Sequence, residues 1–184
     1  MTIILMRHGK PDHHLPGRRS ALAMAEWCAA YDLAEICDLP PERSLRLAAR
    51  ARVIVTSPLP RARSSLAKLG RSAQHIDALY REVAMPVMPL AFPVLPPVLW
   101  LPLLRGIWLF GYRGKVESYA EAKVRAARAA RELIALSEQG DVLLVGHGIM
   151  NKLIARQLRK LGWLGEKHAS SRHWSSAIYH PPLF

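Results

Sequence analysis

Three short segments of the chain combine histidine, arginine and glycine in patterns suited to binding an anion. Arg7-His8-Gly9, Ser57-Pro58-Leu59-Pro60-Arg61 and Gly146-His147-Gly148 each follow an apolar run. Two guanidinium groups can hold a phosphoryl group through paired hydrogen bonds, a geometry that lysine does not offer. Glycine lets the backbone approach an anion closely. These residue types therefore predict a phosphate site, and its chemistry requires no metal ion.

An imidazole in such a site can also act as a nucleophile. A neutral ring nitrogen can attack phosphorus and form phosphohistidine, which divides one difficult displacement into two easier steps. The positive charges of Arg7 and Arg61 are expected to keep that imidazole neutral. A carboxylic acid must then protonate the leaving oxygen and activate water. Glu82 is placed for this role, with Asp77 and Glu117 as alternatives.

The motifs are expected to meet because each follows a predicted strand. Ile3–Met6, Val53–Thr56 and Val142–Val145 are nearly continuous apolar runs, which are typical of strands buried on both faces of a parallel sheet. Gln74–Ala78 and Trp174–Tyr179 are predicted as further strands. Strands that alternate with helices predict an α/β fold with a mostly parallel sheet, and such sheets bind ligands at the carboxyl ends of their strands.

Helices are predicted between these strands, at about 20–31, 60–69, 118–139 and 149–161. Ser20 is predicted to cap the first helix, with Leu22 and Trp27 on its buried side. Ser118 and Glu121 form a capping box at the third. The last helix follows a glycine, and its first turn is expected to offer backbone N–H groups to the phosphate.

Taken together, these motifs resemble the histidine phosphatase superfamily, the group that contains the cofactor-dependent phosphoglycerate mutases. The resemblance rests on the order Arg7-His8-Gly9, Ser57-Pro58-Leu59-x-Arg61-Ala62, a glutamate after a third strand, and Gly146-His147-Gly148, and it spans about residues 3–161. It implies a three-layer α/β/α fold like that of phosphoglycerate mutase, with a mostly parallel central sheet.

The resemblance also implies roles for six residues. They are His8 as nucleophile, Glu82 as general acid and base, His147, Arg7 and Arg61 as holders of the phosphoryl group, and Ser57 as a further hydrogen-bonding group. The implied activity is that of a metal-independent phosphomonoester hydrolase that acts on a small phosphorylated substrate without a cofactor. Two alternatives remain: a mutase-type phosphotransferase and a catalytically silent protein that binds phosphate or a partner. Lys10 and His14 stand where the mutases tend to have glutamate and asparagine.

Five further histidines and the two cysteines are predicted to have no role in the chemistry. The histidines are His13, His14, His168, His173 and His180. Cys28 and Cys37 lack the close pairing with other ligands that a zinc site needs, and two cysteines are too few for a secreted disulfide scaffold. The amino-terminal apolar run is short and has no basic region before it, so no signal peptide is expected and a cytoplasmic location is predicted.

Composition is compatible with one domain of a cationic globular protein. The chain has 184 residues, of which 51% are hydrophobic, and its formal net charge is +12. Such a charge can attract nucleic acid or focus a phosphorylated substrate. The basic residues are scattered and match no nucleic-acid-binding motif, so no nucleic acid partner is expected. We expect a single domain over residues 1–184 with a proline-rich apolar insertion at about 83–112.

The uncharged part of this insertion, Val83–Leu104, is long enough to suggest a membrane span. It contains six prolines, Pro86, Pro89, Pro93, Pro96, Pro97 and Pro102. Each proline inside a helix costs roughly 3 kcal/mol and leaves a carbonyl without its donor, which a lipid-exposed helix could not recover. The segment is therefore predicted to be an extended flap packed over the body of the protein. A substrate lid, a homodimer contact and a shallow membrane contact remain alternatives.

Overall fold

The architecture is that of a mixed sheet flanked by helices. A computed structural model describes residues 1–14, 16–167, 170 and 172–182. The strands are β1 (Ile3–Arg7), β2 (Val53–Thr56), β3 (His75–Ile76), β4 (Val142–Gly146), β5 (Leu164–Gly165) and β6 (Ser176–His180). The α-helices are α1 (Met24–Leu33), α2 (Glu42–Arg50), α3 (Pro60–Lys68), α4 (Pro97–Leu109), α5 (Tyr119–Ser137) and α6 (Gly148–Lys160), and a short 3₁₀ helix covers Ala78–Tyr80.

The strands of the described ranges form one sheet in the order β3-β2-β4-β1-β6-β5. β1 and β2 both pair in parallel with β4, and β3 pairs in parallel with β2. β6 runs antiparallel to β1 and to β5. The strands β1, β2 and β4 are buried almost throughout, which explains their continuous apolar sequence. The predicted α/β fold with a mostly parallel sheet is confirmed.

Alternate residues of the central strands supply the two faces of the core. Ile3, Leu5 and Leu144 pack with α5 and α6 on one face. Ile4 and Leu143 pack with α2 and α3 on the other. Helices thus cover both faces of the sheet, as the three-layer prediction required.

Several predicted boundaries need correction. The first helix begins at Met24 rather than at Ser20, whose hydroxyl accepts from the Ala23 N–H in the turn before the helix. Leu22 is 54% exposed, so its predicted burial is wrong. The third strand is limited to His75–Ile76, and α2 and β5 had not been predicted. The capping box of α5 is present as predicted.

The prediction of an extended flap over Val83–Leu104 is only partly right. From Pro97 the chain forms α4, with Pro97 in its first turn and Pro102 inside it. Trp100, Leu104 and Trp108 are spaced by four residues and are all buried, so one face of the helix packs inward. Burial of this apolar face stabilises the helix by more than the one internal proline, Pro102, destabilises it.

The buried face of α4 connects the insertion to α1. Trp100 and Leu104 form a small core with Ala21 and Met24, separate from the two faces of the sheet. The indole N–H of Trp100 also donates to the carbonyl of Arg19 at 2.6 Å. The insertion is therefore packed on the body of the protein through α1.

The outer side of the insertion exposes apolar side chains. The largest exposed fractions belong to Phe92, Val98 and Phe110. Among the described residues no helix is both long and apolar enough to cross a membrane. The homodimer contact, the shallow membrane contact and the single-domain organisation with an insertion at about 83–112 stay predictions.

The packing of α4 on α1 predicts that replacing Leu104 destabilises the protein much more than replacing the adjacent Leu103. Leu104 is fully buried, whereas Leu103 is 46% exposed. Leu104→Ala is expected to lower the free energy of unfolding by about 2–5 kcal/mol because it leaves a cavity. Leu103→Ala, the matched control, should change it by less than about 0.5 kcal/mol. Urea denaturation measures both, and similar losses would show that the face of α4 is not packed as described.

Candidate active site

The carboxyl ends of β1, β2 and β4 bring three of the motifs together. Arg7 lies opposite Gly146 in the parallel register, and β2 ends beside β4 in the same way. The His8 N–H donates to the carbonyl of Gly146 at 3.0 Å. The ring centroids of His8 and His147 are 5.2 Å apart. The histidines that the sequence placed at two strand ends therefore do meet.

The tautomer of His8 follows from one hydrogen bond. Its Nδ1 lies 2.7 Å from the carbonyl oxygen of Gly9. A carbonyl oxygen can only accept, so Nδ1 must carry the proton and donate it. In the neutral ring Nε2 then holds a free lone pair. The backbone thus presents the nitrogen that a nucleophile needs.

The protonation state of His8 follows from its surroundings. The side chain is 1% exposed. The pKa of His8 is lowered to about 3: burial is the largest cause, the hydrogen bond to Gly9 opposes it, and the charges of Arg61 and Arg7 add to the lowering. The predicted neutral imidazole is consistent with this direction, although burial contributes more than the neighbouring guanidinium charges.

His147 lies beside His8 and is also neutral. Its Nε2 is 2.6 Å from the hydroxyl of Ser57, which in turn accepts from the Leu59 N–H. Because that hydroxyl already accepts one bond, it is suited to donate its own proton to Nε2, which leaves the proton of His147 on Nδ1. Burial, followed by the charge of Arg61, holds the pKa of His147 well below its ordinary value. Within the described residues Nδ1 is buried and has no hydrogen-bond partner.

Arg61 is a buried cation whose described hydrogen bonds all come from one nitrogen, Nη1. Its Nη1 donates to the carboxylate of Asp32 at 3.0 Å and to the carbonyl of Tyr31 at 3.1 Å. Its guanidinium carbon lies 4.6 Å from the centre of the Tyr31 ring. Its Nε is buried, and no atom of the described chain accepts from it. A buried donor of this kind requires an acceptor, and an anion beside His8 would supply one.

Arg7 lies on the other side of the site, next to Gly148. A side chain at Gly148 would place its first carbon 3.5 Å from Nε of Arg7 and 3.7 Å from Oε2 of Glu82. The Arg7 side chain also hydrogen-bonds to the hydroxyl of Tyr31, and burial raises the pKa of that hydroxyl. Arg7 and Glu82 thus approach the same point of the backbone at distances that are ordinary van der Waals contacts.

Glu82 is anchored at the amino terminus of α6. Its Oε1 accepts from the N–H groups of Val83 and Met150, each at 3.0 Å, and its Oε2 accepts from that of Ile149 at 3.1 Å. The first-turn amides that were expected to face the phosphate therefore bind this carboxylate instead. The helix N-terminus favours a negative group at that position.

The two alternative acids are engaged elsewhere. Asp77 accepts from the N–H of Leu79 and caps the 3₁₀ helix. Glu117 forms an ion pair with Arg125. Of the three carboxylates considered, Glu82 is the one that binds the first turn of α6, close after His147 in the chain.

Gly9 and His173 complete the surroundings of His8. A side chain at Gly9 would lie 2.5 Å from the Asp38 carboxylate and 2.6 Å from the Trp174 ring, so only glycine fits there. The His173 ring centroid is 5.6 Å from that of His8. Burial lowers the pKa of His173, and the charge of Arg7 adds to the shift. The sequence analysis assigned His173 no role. Its position beside His8 joins residues far apart in the chain, so local spacing could not reveal it.

Among the remaining histidines, His13 lies beside the site, with its ring centroid 5.4 Å from that of Tyr31. His13 packs edge-on against Trp27 with ring centroids 4.4 Å apart. His14 and His180 are exposed, whereas His168 lies outside the described residues. Cys28 and Cys37 are both free thiols.

The buried neutral state of His8 predicts an acid-dependent loss of stability. Its pKa is lowered from 6.5 to about 3 on folding. Between these values the unfolded chain binds a proton that the folded chain does not, so the free energy of unfolding falls as the pH drops. His8→Gln is expected to reduce this slope near pH 5 by about 1.4 kcal/mol per pH unit. Urea denaturation at several pH values tests this, and an unchanged slope would contradict the buried neutral ring.

Comparison with known proteins gives a family match and a fold match. A model of the histidine phosphatase superfamily (branch 1) matches residues 100–173, a range that contains His147 but not His8, Arg61 or Glu82. No curated protein sequence is significantly similar to the chain.

Three solved structures illustrate the fold match. Mycobacterial glucosyl-3-phosphoglycerate phosphatase in complex with VO3 is 20% identical, with a TM-score of 0.61 over 96% of this chain and 91% of that chain. The protein TTHB049 from Thermus thermophilus is 18% identical, with a TM-score of 0.59 over 97% and 92% of the two chains. A phosphoserine phosphatase mutant from Entamoeba histolytica is 18% identical, with a TM-score of 0.54 over 86% and 80%.

Identities this low establish a common fold and do not assign a substrate. The family match covers less than half of the chain, and the fold match extends over most of it. Together they confirm the resemblance predicted from the motifs: residues 100–173 match the model of the histidine phosphatase superfamily, and the chain shares its fold with solved structures that include phosphatases.

Proposed function

We propose that the protein is a metal-independent phosphomonoester hydrolase that forms a phosphohistidine at His8 on a small phosphorylated substrate. The observation that carries the proposal is the setting of His8. Its Nδ1 is committed to the carbonyl of Gly9, which leaves Nε2 as the reactive nitrogen. Two buried nitrogens near it, Nε of Arg61 and Nδ1 of His147, have no partner in the described part of the chain. A phosphoryl group in line with Nε2 would satisfy both.

In the first step Nε2 of His8 attacks phosphorus and the bond to the leaving oxygen breaks. Arg7 and Arg61 offset the charge of the phosphoryl oxygens, and Nδ1 of neutral His147 donates to one of them. Ser57 orients His147 through its bond to Nε2. Glu82, in its protonated form, gives its proton to the leaving alkoxide, which departs as an alcohol.

In the second step a water molecule attacks the phosphohistidine. Glu82, now a carboxylate, accepts one proton of that water, and the bond between Nε2 and phosphorus breaks. Inorganic phosphate leaves and His8 returns to its neutral state. The amides of Val83, Ile149 and Met150 hold the Glu82 carboxylate in one orientation through both steps.

Two observations favour hydrolysis over transfer to a second position. The comparable structures from Mycobacterium and Entamoeba histolytica are named as phosphatases. Lys10 is exposed and its N–H binds the Asp38 carboxylate, so this position offers a cation where the mutases tend to have glutamate. Cytoplasmic location remains a prediction from the sequence.

Removal of the nucleophile is the first test of this proposal. His8→Ala is expected to abolish release of phosphate from 4-nitrophenyl phosphate in the presence of EDTA. It should also abolish a trapped phosphoenzyme that is labile to acid, as a phosphorus–nitrogen bond is. His14→Ala, which replaces an exposed histidine, serves as the matched control and should keep both.

The same assay separates the alternatives. Turnover by His8→Ala equal to that of the wild type would exclude His8 as the nucleophile. Strong activation by a bisphosphate would indicate a mutase. Absence of both turnover and phosphoenzyme in the wild type would indicate a silent binding protein.

The loss of activity on replacing Glu82, the proposed general acid, is expected to depend on the leaving group of the substrate. Glu82→Gln cannot donate a proton, so it should slow alkyl phosphates by about 10²–10⁴-fold. The loss for 4-nitrophenyl phosphate should be much smaller because nitrophenolate leaves without protonation. Steady-state rates with both esters measure the difference, and equal losses would point to a different acid.

A further inference from the structure

A cleft of about 530 Å³ lies directly beside the phosphate site. One end is formed by Tyr31, Arg61 and Glu82, which belong to that site. The rest of the wall is formed by residues of α1, among them Asp32, of the 83–87 segment and of α4, together with Ile149 of α6. This part is mostly apolar and includes Ala25, Trp27, Met85, Val87 and Leu101. A volume of this size is in the range of small-molecule sites.

The position of the cleft determines which part of a substrate it would hold. Glu82 is the proposed donor to the leaving oxygen, and Val83, Ala84 and Met85 follow it along the cleft wall. A phosphate held by Arg7 and Arg61 would therefore direct its alcohol part along these residues. A polyhydroxylated or zwitterionic alcohol would bring polar groups against apolar side chains and lose hydrogen bonds to water.

Arg105 adds a cation to this apolar wall. Its Nη2 donates to the carbonyl of Val83 at 3.0 Å, next to Glu82. Its Nη1 is buried without a hydrogen-bond partner in the described ranges. Burial lowers the pKa of Arg105, and the charge of Glu82 opposes that shift. A buried guanidinium N–H close to the leaving oxygen needs an acceptor.

We infer that the substrate is a phosphate monoester of an apolar alcohol that carries an oxygen acceptor near the phosphate, the chemistry of a lipid phosphate. The hydrocarbon chain lies in the cleft between α1 and α4, and the acceptor oxygen binds Nη1 of Arg105. This inference rests on the proposed function because the bound phosphate sets the position of the chain.

A series of straight-chain alkyl phosphates from ethyl to octyl tests the apolar part. Each added methylene that enters the cleft is expected to raise kcat/KM about three- to fourfold, until the cleft is filled. A kcat/KM that stays flat or falls with chain length would overturn the inference.

Binding measurements make this test independent of turnover. Calorimetry with the corresponding alkyl phosphonates, which the protein cannot hydrolyse, should give a Kd that falls with chain length. Hydrolysis of the esters with no such trend in Kd would refute the apolar cleft and leave the hydrolase intact. A Kd that falls with chain length in the absence of hydrolysis would refute the proposed function and support the cleft.

Two leucines of α4 provide a matched pair of variants. Leu101 lines the cleft, whereas Leu103 is exposed and does not line it. Leu101→Asn is expected to lower kcat/KM for octyl phosphate by about tenfold or more relative to its effect on ethyl phosphate. Leu103→Asn should change neither. Equal effects of both variants on octyl phosphate would show that the chain does not bind in the cleft.

Arg105→Met tests the acceptor. Octyl phosphate is compared with a lysophosphatidate that has an octanoyl chain and therefore an ester and a hydroxyl oxygen near the phosphate. The variant is expected to lower kcat/KM for the lysophosphatidate about tenfold more than for octyl phosphate, because only that substrate loses a charged hydrogen bond. Equal losses for the two substrates would mean that Arg105 only holds Val83 in place.

Discussion

The parallel pairing of β1 with β4 is the constraint on which the candidate site depends. It sets Arg7 opposite Gly146, so His8 and His147 leave adjacent strands at the same edge of the sheet. A shift of one residue in this register would turn the side chains of β1 to the opposite face and separate the two rings. Both faces of these strands are buried, so the packing of their side chains against the helices on each face fixes the register.

Burial supplies the chemistry that this geometry requires. Burial removes water from His8 and His147, and the charges of Arg61 and Arg7 lower the pKa of both rings in the same direction, so both rings are neutral near neutral pH. The same burial leaves Nε of Arg61 without an acceptor among the described residues. A buried donor without a partner destabilises the fold by roughly 1–3 kcal/mol, a cost that binding of an anion would remove. Asp32 offsets part of the charge of Arg61.

The insertion shows how tertiary packing decides between local preferences. Its prolines argued against a helix anywhere in Val83–Leu104, yet Pro96 and Pro97 stand at the start of α4, where proline is tolerated. The spacing of Trp100, Leu104 and Trp108 was a helical signal present in the sequence. The contacts of α4 with α1 bury this apolar face and so stabilise the helix that the spacing favours. The same two helices line the cleft beside the site.

The sequence by itself determined the strands of the central sheet and the identity of the residues at their carboxyl ends. Continuous apolar runs and adjacent Arg-His-Gly and Gly-His-Gly motifs are local features, so they could be recognised without a structure. The tertiary structure alone decided that Glu82 occupies the first-turn amides of α6 and that His173 stands beside His8. These contacts join residues far apart in the chain, and local patterns contain no information on such pairings.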